Sequence, residues 1–405
     1  MSFKYSITFQ NIINNKWAFI VLILLFACGG SEEPLPEEQE KHLVSSEKVG
    51  SINQFLLRIG ISQFDLSELQ NDLKYDVEIY KLEYSTEFLG EKIIASGLIG
   101  IPESEDAFPL LSFQHGTISS HEDAPSENPL GSFYSAFASL GYIAIVPDFI
   151  GFGSSSDYIH PYYHKESSAQ CVVDMIRASK EFLEQENQAY EEKLFLAGYS
   201  EGGYVTMVTH QLIEEEYSSE FNLVASAPAS GAYDIKQMQE YMFSLDIYNQ
   251  PYYLAYVAHS YANIYGWTGF YSTIFNEPYA SKILTLFNGT RSGSSINNEL
   301  TIDMEELLTM NVLTGIDNNS EFGDFASALE INSPLNWIPS KPMYLYHGTS
   351  DDLIPYSNSA DTYLNLIDAG TSPMTLSLTR LDGYNHGTGV TPYILGMLSD
   401  FEQLK

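Results

Sequence analysis

The chain of 405 residues is poor in cysteine and in basic side chains, and both shortages exclude classes of protein. Its two cysteines, Cys28 and Cys171, cannot build a disulfide framework, so stability must come from a hydrophobic core. Only 18 Lys and Arg stand against 53 Asp and Glu, which gives a formal net charge of −35. This charge opposes binding to nucleic acid or to anionic membrane surfaces. The sequence also lacks a phosphate-binding P-loop, and no G-x-G-x-x-G follows a predicted strand.

The N-terminus lacks an apolar run of membrane-spanning length. Trp17 to Ala27 has eleven apolar residues, which is too short for a spanning helix and typical of a signal-peptide core. The sequence around Ala27-Cys28-Gly29 resembles a bacterial lipobox, with cleavage before a lipidated Cys28. We therefore predict a signal peptide over residues 1–27 and an acidic, solvated tether over residues 28–43. Ordinary secretion with cleavage near Ala27 is the alternative.

The acidic run directly after Cys28 resembles surface-export signals of lipoproteins in the Bacteroidetes. Together with the lipobox, it predicts an exported lipoprotein of the cell envelope, held to the outer membrane through lipid at Cys28 and exposed at the surface. If Cys28 carries lipid, Cys171 has no partner for a disulfide. Its helical, apolar surroundings predict a small buried residue.

The most informative motif is Gly198-Tyr199-Ser200-Glu201-Gly202, which lies between a predicted strand and a predicted helix. A serine between two glycines at such a junction is the pattern of a nucleophile elbow. The turn strains the serine backbone and leaves no room for Cβ atoms two residues away, which explains Gly198 and Gly202. A role for Ser200 as a simple helix cap is the alternative.

A serine hydroxyl needs a base and an acid to become a good nucleophile. Two loops after predicted strands offer them, Asp351 after the strand at Met343 and His386 thirty-five residues later. Asp352 competes with Asp351, although the spacing to Ile354-Pro355 favours Asp351. The carboxyl ends of parallel strands share one sheet edge, so these loops and Ser200 should lie together.

Backbone N–H groups that could stabilise an oxyanion are also present. The strand ending at Gln114 leads into His115-Gly116-Thr117, and we assign Thr117 as one donor, with Gly116 as the alternative. The second donor should be Glu201, which follows the nucleophile.

The chain resembles the α/β-hydrolases, and most of all the secretory lipase-like esterases. The motifs that carry this resemblance follow one another in the family's order: His115-Gly116-Thr117, Gly198 to Gly202, Asp351 and His386. The resemblance covers roughly residues 75–405 apart from a middle insertion. It implies an α/β fold with a mostly parallel sheet flanked by helices, and a Ser200–His386–Asp351 triad. The implied activity is hydrolysis of a small-molecule or lipid carboxylic ester through an acyl-enzyme, without a cofactor. Glu201 departs from many relatives, which carry Gln, Met or a small residue there, and it is expected to tune substrate charge.

The pattern along the chain predicts a core of residues 44–231 and 338–405. Residues 44–74 read as helical or irregular, and Val77–Phe88 and Lys92–Ile101 read as an antiparallel pair of edge strands. Strands and helices then alternate, which is typical of a parallel sheet. Residues 232–337 break this rhythm and are rich in Tyr, Trp and Phe, which predicts an inserted helical cap that lines an aromatic cleft.

Three other functions remain open at this stage. An aminopeptidase would need acidic groups in the cap, for which Glu240, Asp246 and Glu277 are candidates. A second possibility is an esterase that removes acyl groups from polysaccharides, and a third is a surface binding protein without catalysis. His160 and His164 have a spacing that can hold zinc on a helix, but Pro161 interrupts it, so no metal site is predicted. The sequence does not indicate an oligomeric state.

Overall fold

The computed structural model describes residues 41–130 and 133–405 of the chain. The predicted signal peptide, Cys28 and nearly all of the predicted tether lie outside these residues. Within them, no helix is both long enough and apolar enough to cross a bilayer.

Nine strands of the described chain form one sheet, with the order β1-β2-β3-β5-β4-β6-β7-β8-β9. The strands are β1 (Leu43–Ile52), β2 (Val77–Phe88), β3 (Glu91–Pro102), β4 (Phe108–Gln114), β5 (Ile143–Pro147), β6 (Tyr190–Tyr199), β7 (Asn222–Ala229), β8 (Met343–Gly348) and β9 (Leu376–Leu381). Strands β1, β2, β3 and β5 pair in antiparallel fashion, and every pair from β5 through β4 to β9 is parallel. The predicted mostly parallel sheet is thereby confirmed.

The described helices are α1 (Gln54–Gly60), α2 (Tyr134–Ser139), α3 (Lys165–Gln185), α4 (Glu201–Glu216), α5 (Ile235–Phe243), α6 (Pro251–Ile264), α7 (Phe270–Ile274), α8 (Tyr279–Leu286), α9 (Gly293–Asn297), α10 (Met304–Leu307), α11 (Met310–Leu313), α12 (Gly323–Asn332), α13 (Tyr356–Asp368) and α14 (Val390–Glu402). Short 3₁₀ segments occur at Ile61–Phe64, Ser67–Asn71, His121–Asp123, Pro125–Glu127, Gly153–Ser155, Ile316–Asn318 and Ser320–Phe322.

The central strands are buried on both faces, so their side chains alternate between two apolar layers. On β5, Ile143 and Ile145 pack with residues of α3 and α4, whereas Ala144 packs with residues of α2 and α14. All seven residues of β4 and all five of β5 are buried. Helices therefore cover both faces of the sheet. Cys171 lies buried on α3 as predicted, with its sulfur 3.0 Å from the Tyr84 hydroxyl.

The chain order turns around at β4, because β5 pairs with one side of this strand and β6 with the other. Crevices form at such a switch point, beyond the carboxyl ends of the strands. Gln114 at the end of β4 pairs with Gly198 near the end of β6. The two loops that carry Thr117 and Ser200 therefore leave the sheet side by side.

The prediction for residues 44–74 was wrong in its first part. Leu43–Ile52 form strand β1, which pairs with β2 and makes β1 the edge strand. Most β1 side chains are exposed or half-buried, so the strand has no apolar alternation that a sequence pattern could reveal. Backbone pairing holds it, and the Glu181 carboxylate on α3 accepts hydrogen bonds from the N–H groups of His42 and Leu43.

Helices α5 to α12 all lie between β7 and β8, in the segment for which a helical cap insertion is predicted. Many of its aromatic side chains pack on each other rather than on a cleft. The Trp267, Phe270 and Phe325 rings, for example, have centroids 4.9 to 6.3 Å apart. Helices α5 and α6 differ from the rest because they face the end of the sheet where Ser200 lies.

Candidate active site

Ser200 occupies a sharp turn between β6 and α4. Its backbone has φ 62° and ψ −125°, a conformation that side-chain-bearing residues rarely adopt. A hydrogen bond from its N–H to the Ala229 carbonyl, 2.9 Å long, ties the turn to the neighbouring strand β7. Ser200 therefore lies in a strained turn between a strand and a helix.

The glycines around Ser200 are required by close backbone approach. A Cβ atom on Gly198 would lie 2.2 Å from the Gly202 carbonyl oxygen, and one on Gly202 would lie 2.0 Å from that of Gln114. Gly203, which sequence reasoning did not single out, would clash with the Ala229 oxygen at 2.2 Å. All three contacts are with backbone atoms, which cannot move aside as a flexible side chain can.

We expect Gly202→Ala to destabilise the fold by about 1–3 kcal/mol, since overpacking against backbone that cannot move aside typically costs that much. Thermal unfolding monitored by circular dichroism measures this effect. Gly323→Ala is the matched control, because no atom lies within 4 Å of a Cβ at that position in α12. The control should be neutral or slightly stabilising. Equal melting temperatures for the two variants would contradict the close approach at Gly202.

The structure brings Ser200, His386 and Asp351 together. The Ser200 hydroxyl lies 2.9 Å from His386 Nε2, and His386 Nδ1 lies 2.8 Å from Asp351 Oδ2. The imidazole therefore bridges the hydroxyl and the carboxylate. The His386 side chain keeps 12% of its surface exposed, whereas the Asp351 side chain has none.

Asp351 rather than Asp352 contacts the imidazole. Its second oxygen, Oδ1, accepts hydrogen bonds from the N–H groups of Leu353 and Ile354 at 3.0 and 2.9 Å. Burial alone would raise the pKa of Asp351, but hydrogen bonds from His347 and His386 outweigh it and hold the pKa well below its usual range. Within the described residues, Asp352 accepts a hydrogen bond only from the His386 backbone N–H, at 3.5 Å.

Two supporting residues were missed or undervalued by sequence reasoning. His347 was expected only to shape a turn, yet its Nε2 lies 3.2 Å from Asp351 Oδ2 and 2.9 Å from the Ile354 carbonyl oxygen. Tyr199 donates a hydrogen bond to the His386 carbonyl at 2.8 Å, and its ring packs against the imidazole. Both fix the orientation of the acid and the base. The one available signal was the position of His347, four residues before Asp351.

The Ser200 side chain is surrounded by residues that follow β4 and β6, namely Gly116, Thr117 and Glu201. A Cβ on Gly116 would lie 3.6 Å from that of Ser200, and the Thr117 hydroxyl is 2.9 Å from the Tyr162 hydroxyl. In the part of the chain that the structure describes, the N–H groups of Gly116, Thr117 and Glu201 have no protein acceptor. These N–H groups are free to bind an anion, and the choice between Gly116 and Thr117 stays open.

The Glu201 side chain points away from the space above Ser200. It is 1% exposed, and its Oε1 lies 2.7 Å from His160 Nε2, while His160 Nδ1 donates to the Ile150 carbonyl. His164 instead caps α3 through its contact with Ser167. The two histidines thus have separate partners, and the described residues contain no cluster of three His, Cys, Asp or Glu side chains able to hold a metal.

Two cavities meet at Ser200 and His386. The first, here called the apolar cavity, has a volume of about 420 Å³ and is walled mainly by α5, α6 and the loop after β8. The second, the open pocket, has about 640 Å³ and is lined by the Gly116–Thr117 loop and Asp123. Tyr253 borders both. Glu240, Asp246 and Glu277, the candidate acids for an aminopeptidase, are exposed and line neither.

The sheet, the elbow and the side chains around it define an α/β-hydrolase. The chain belongs to the secretory lipase family, whose model matches residues 132–392. This match confirms the resemblance drawn from the motifs and places the chain among hydrolases that act on esters. A comparison with curated protein sequences returned no match.

Several solved structures share this fold. A putative hydrolase from Legionella pneumophila is 25% identical, with a TM-score of 0.82 over 90% of this chain and 98% of the other. The rice cell wall degrading esterase LipA from Xanthomonas oryzae is 24% identical, with a TM-score of 0.78 over 89% and 97% of the two chains. Candida antarctica lipase A in its closed state is 16% identical, with a TM-score of 0.64 over 89% and 81%.

Proposed function

We propose that the protein is a serine esterase that cleaves carboxylic esters through an acyl-enzyme formed on Ser200. The observation that carries this proposal is the His386 imidazole, which lies within hydrogen-bonding distance of both the Ser200 hydroxyl and the Asp351 carboxylate. Membership in the secretory lipase family supports an ester as the bond that is cleaved.

The chemistry follows from the three side chains. Asp351 accepts a hydrogen bond from the Nδ1–H of His386, which keeps Nε2 unprotonated and able to take the proton of Ser200 as the serine oxygen attacks the ester carbonyl. The imidazolium then protonates the leaving alcohol. Water, activated by the same nitrogen, attacks the acyl-enzyme and releases the acid. The Glu201 N–H, together with that of Thr117 or Gly116, stabilises the negative oxygen of each tetrahedral intermediate.

The two cavities divide the substrate between them. The apolar cavity, with its mainly apolar lining, suits the apolar half of an ester. The open pocket, with its polar lining, suits the half that leaves into solvent. Residues 232–337 act as the cap that closes the apolar cavity over Ser200, since α5 and α6 supply much of its wall.

The test compares p-nitrophenyl esters of short to long acids with aminoacyl-p-nitroanilides. We expect turnover of the esters and little or none of the anilides, because the exposed cap acids lie away from the cavities that meet at Ser200. Faster cleavage of the anilides would contradict the esterase proposal and favour a peptidase. Absence of turnover with both series would favour a binding protein.

We also propose that the protein is exported and anchored by lipid at Cys28. The description of its family as secretory supports export, and the lipobox-like sequence supports the anchor. In a bacterial host with lipoprotein processing, we expect the wild-type chain in the membrane fraction and Cys28→Ser outside it. Equal distribution of both would contradict lipidation.

A further inference from the structure

Two buried polar side chains in the wall of the apolar cavity each carry an oxygen without a hydrogen-bond partner in the described part of the chain. Gln239, on α5, is 2% exposed, and Tyr248, between α5 and α6, is 4% exposed. Neither Gln239 Oε1 nor the Tyr248 hydroxyl makes a hydrogen bond within the described protein. Leaving such a group unpaired is costly, so native proteins almost always satisfy it with protein, water or ligand.

Both side chains line the cavity that Ser200 and His386 also border. The rest of its lining is largely apolar, with Ile235, Met238, Met242, Val257 and Leu353 among its members. No Lys or Arg occurs among the described residues that line it. An occupant therefore needs an apolar body and a neutral polar group, because an anion would find no cation there.

The two unpaired groups determine which hydrogen bonds the polar group of the occupant must make. A glutamine amide offers one accepting oxygen and a donating NH₂, and a tyrosine hydroxyl can donate or accept. Burial raises the pKa of Tyr248, so its hydroxyl stays protonated and able to donate. A hydroxyl on the substrate meets both demands, since it donates to Gln239 Oε1 and accepts from Tyr248.

We propose that the apolar cavity selects esters whose buried arm carries a hydroxyl group, and that Gln239 and Tyr248 bind this hydroxyl. The inference rests on the proposed esterase function, since the arm in the cavity belongs to the ester cleaved at Ser200. It adds the substrate class, a hydroxylated aliphatic ester, that the family relationship leaves open.

The experiment uses two matched series of esters. In the first, p-nitrophenyl esters of straight-chain acids are compared with those of the same acids carrying a hydroxyl at successive positions. In the second, acetates of straight-chain alcohols are compared with monoacetates of the corresponding diols. We expect kcat/KM to favour the hydroxylated ester by about 10- to 100-fold at one position, in the series whose variable arm enters the cavity.

Gln239→Met and Tyr248→Phe should each bring the ratio of kcat/KM for the hydroxylated ester to kcat/KM for the plain ester closer to one. Matched controls exist because Gln211 and Tyr142 also carry buried, unpartnered oxygens but lie outside the cavity. Gln211→Met and Tyr142→Phe should keep the wild-type preference. Equal kcat/KM for plain and hydroxylated esters at every position, in both series, would overturn the proposal and leave water as the partner of these groups.

A binding measurement separates this inference from the esterase proposal. Calorimetric titration of Ser200→Ala with the hydroxylated and the plain esters of both series needs no turnover. Tighter binding of a hydroxylated ester would support the cavity assignment even if the wild type cleaved no ester. Equal binding, beside normal hydrolysis of plain esters, would overturn the cavity assignment alone.

Discussion

Ser200→Ala is expected to lower kcat for ester hydrolysis by about 10⁴- to 10⁶-fold, as loss of a serine nucleophile does in comparable sites. The variant should also lose covalent labelling by a fluorophosphonate, which reacts with the activated hydroxyl. The melting temperature should change little, because the hydroxyl bonds only to His386 Nε2 within the described protein. Steady-state kinetics, gel labelling and thermal unfolding measure the three quantities.

The control for this variant is Ser350→Ala. Ser350 is exposed, lies in the loop directly before Asp351, and contributes a backbone N–H rather than its hydroxyl to a hydrogen bond. This variant should keep both activity and labelling. Labelling of Ser200→Ala at the wild-type level would show that another residue is the nucleophile and would remove the basis of the esterase proposal.

The sequence was most informative at positions where the backbone geometry or the chemistry requires one particular residue type. The elbow glycines, the serine between them and the loops at Asp351 and His386 follow from chemistry that leaves few alternatives in a sequence. The central strands are equally visible, because burial on both faces makes them apolar runs. Edge strand β1 was invisible, since backbone hydrogen bonds rather than an apolar pattern hold it.

Residues that act through tertiary contacts could not be predicted from the sequence either. His347 contacts Asp351 because β8 and the loop after it fold back on themselves. Glu201 contacts His160, which lies in a different loop. Gln239 and Tyr248 have no motif around them, and only their position in the apolar cavity sets them apart. The aromatic density of the cap predicted an aromatic cleft, yet the wall also holds Met, Ile, Leu and Val side chains.

Asp351→Asn is expected to lower kcat by about 10⁴-fold while Asp352→Asn stays within a few-fold of the wild type. An amide at position 351 can present N–H to His386 Nδ1, which favours the tautomer with its proton on Nε2. That nitrogen then cannot accept the proton of Ser200, although the geometry is preserved. In the described structure Asp352 contacts the backbone N–H of His386 and not its ring, so its substitution leaves the tautomer unchanged.

The same two variants should also differ in how their stability depends on pH. The pKa of Asp351 in the folded protein lies below its value in the unfolded chain, so its ionised form stabilises the fold above pH about 4 and less as the pH falls. Asp351→Asn should therefore lower the melting temperature most near neutral pH, and the difference from the wild type should shrink in acid. Asp352→Asn should follow the wild-type curve throughout.

If Asp352→Asn lost the activity and Asp351→Asn kept it, the acid of the site would be Asp352, and the hydrogen bond between Asp351 and His386 would have only a structural role.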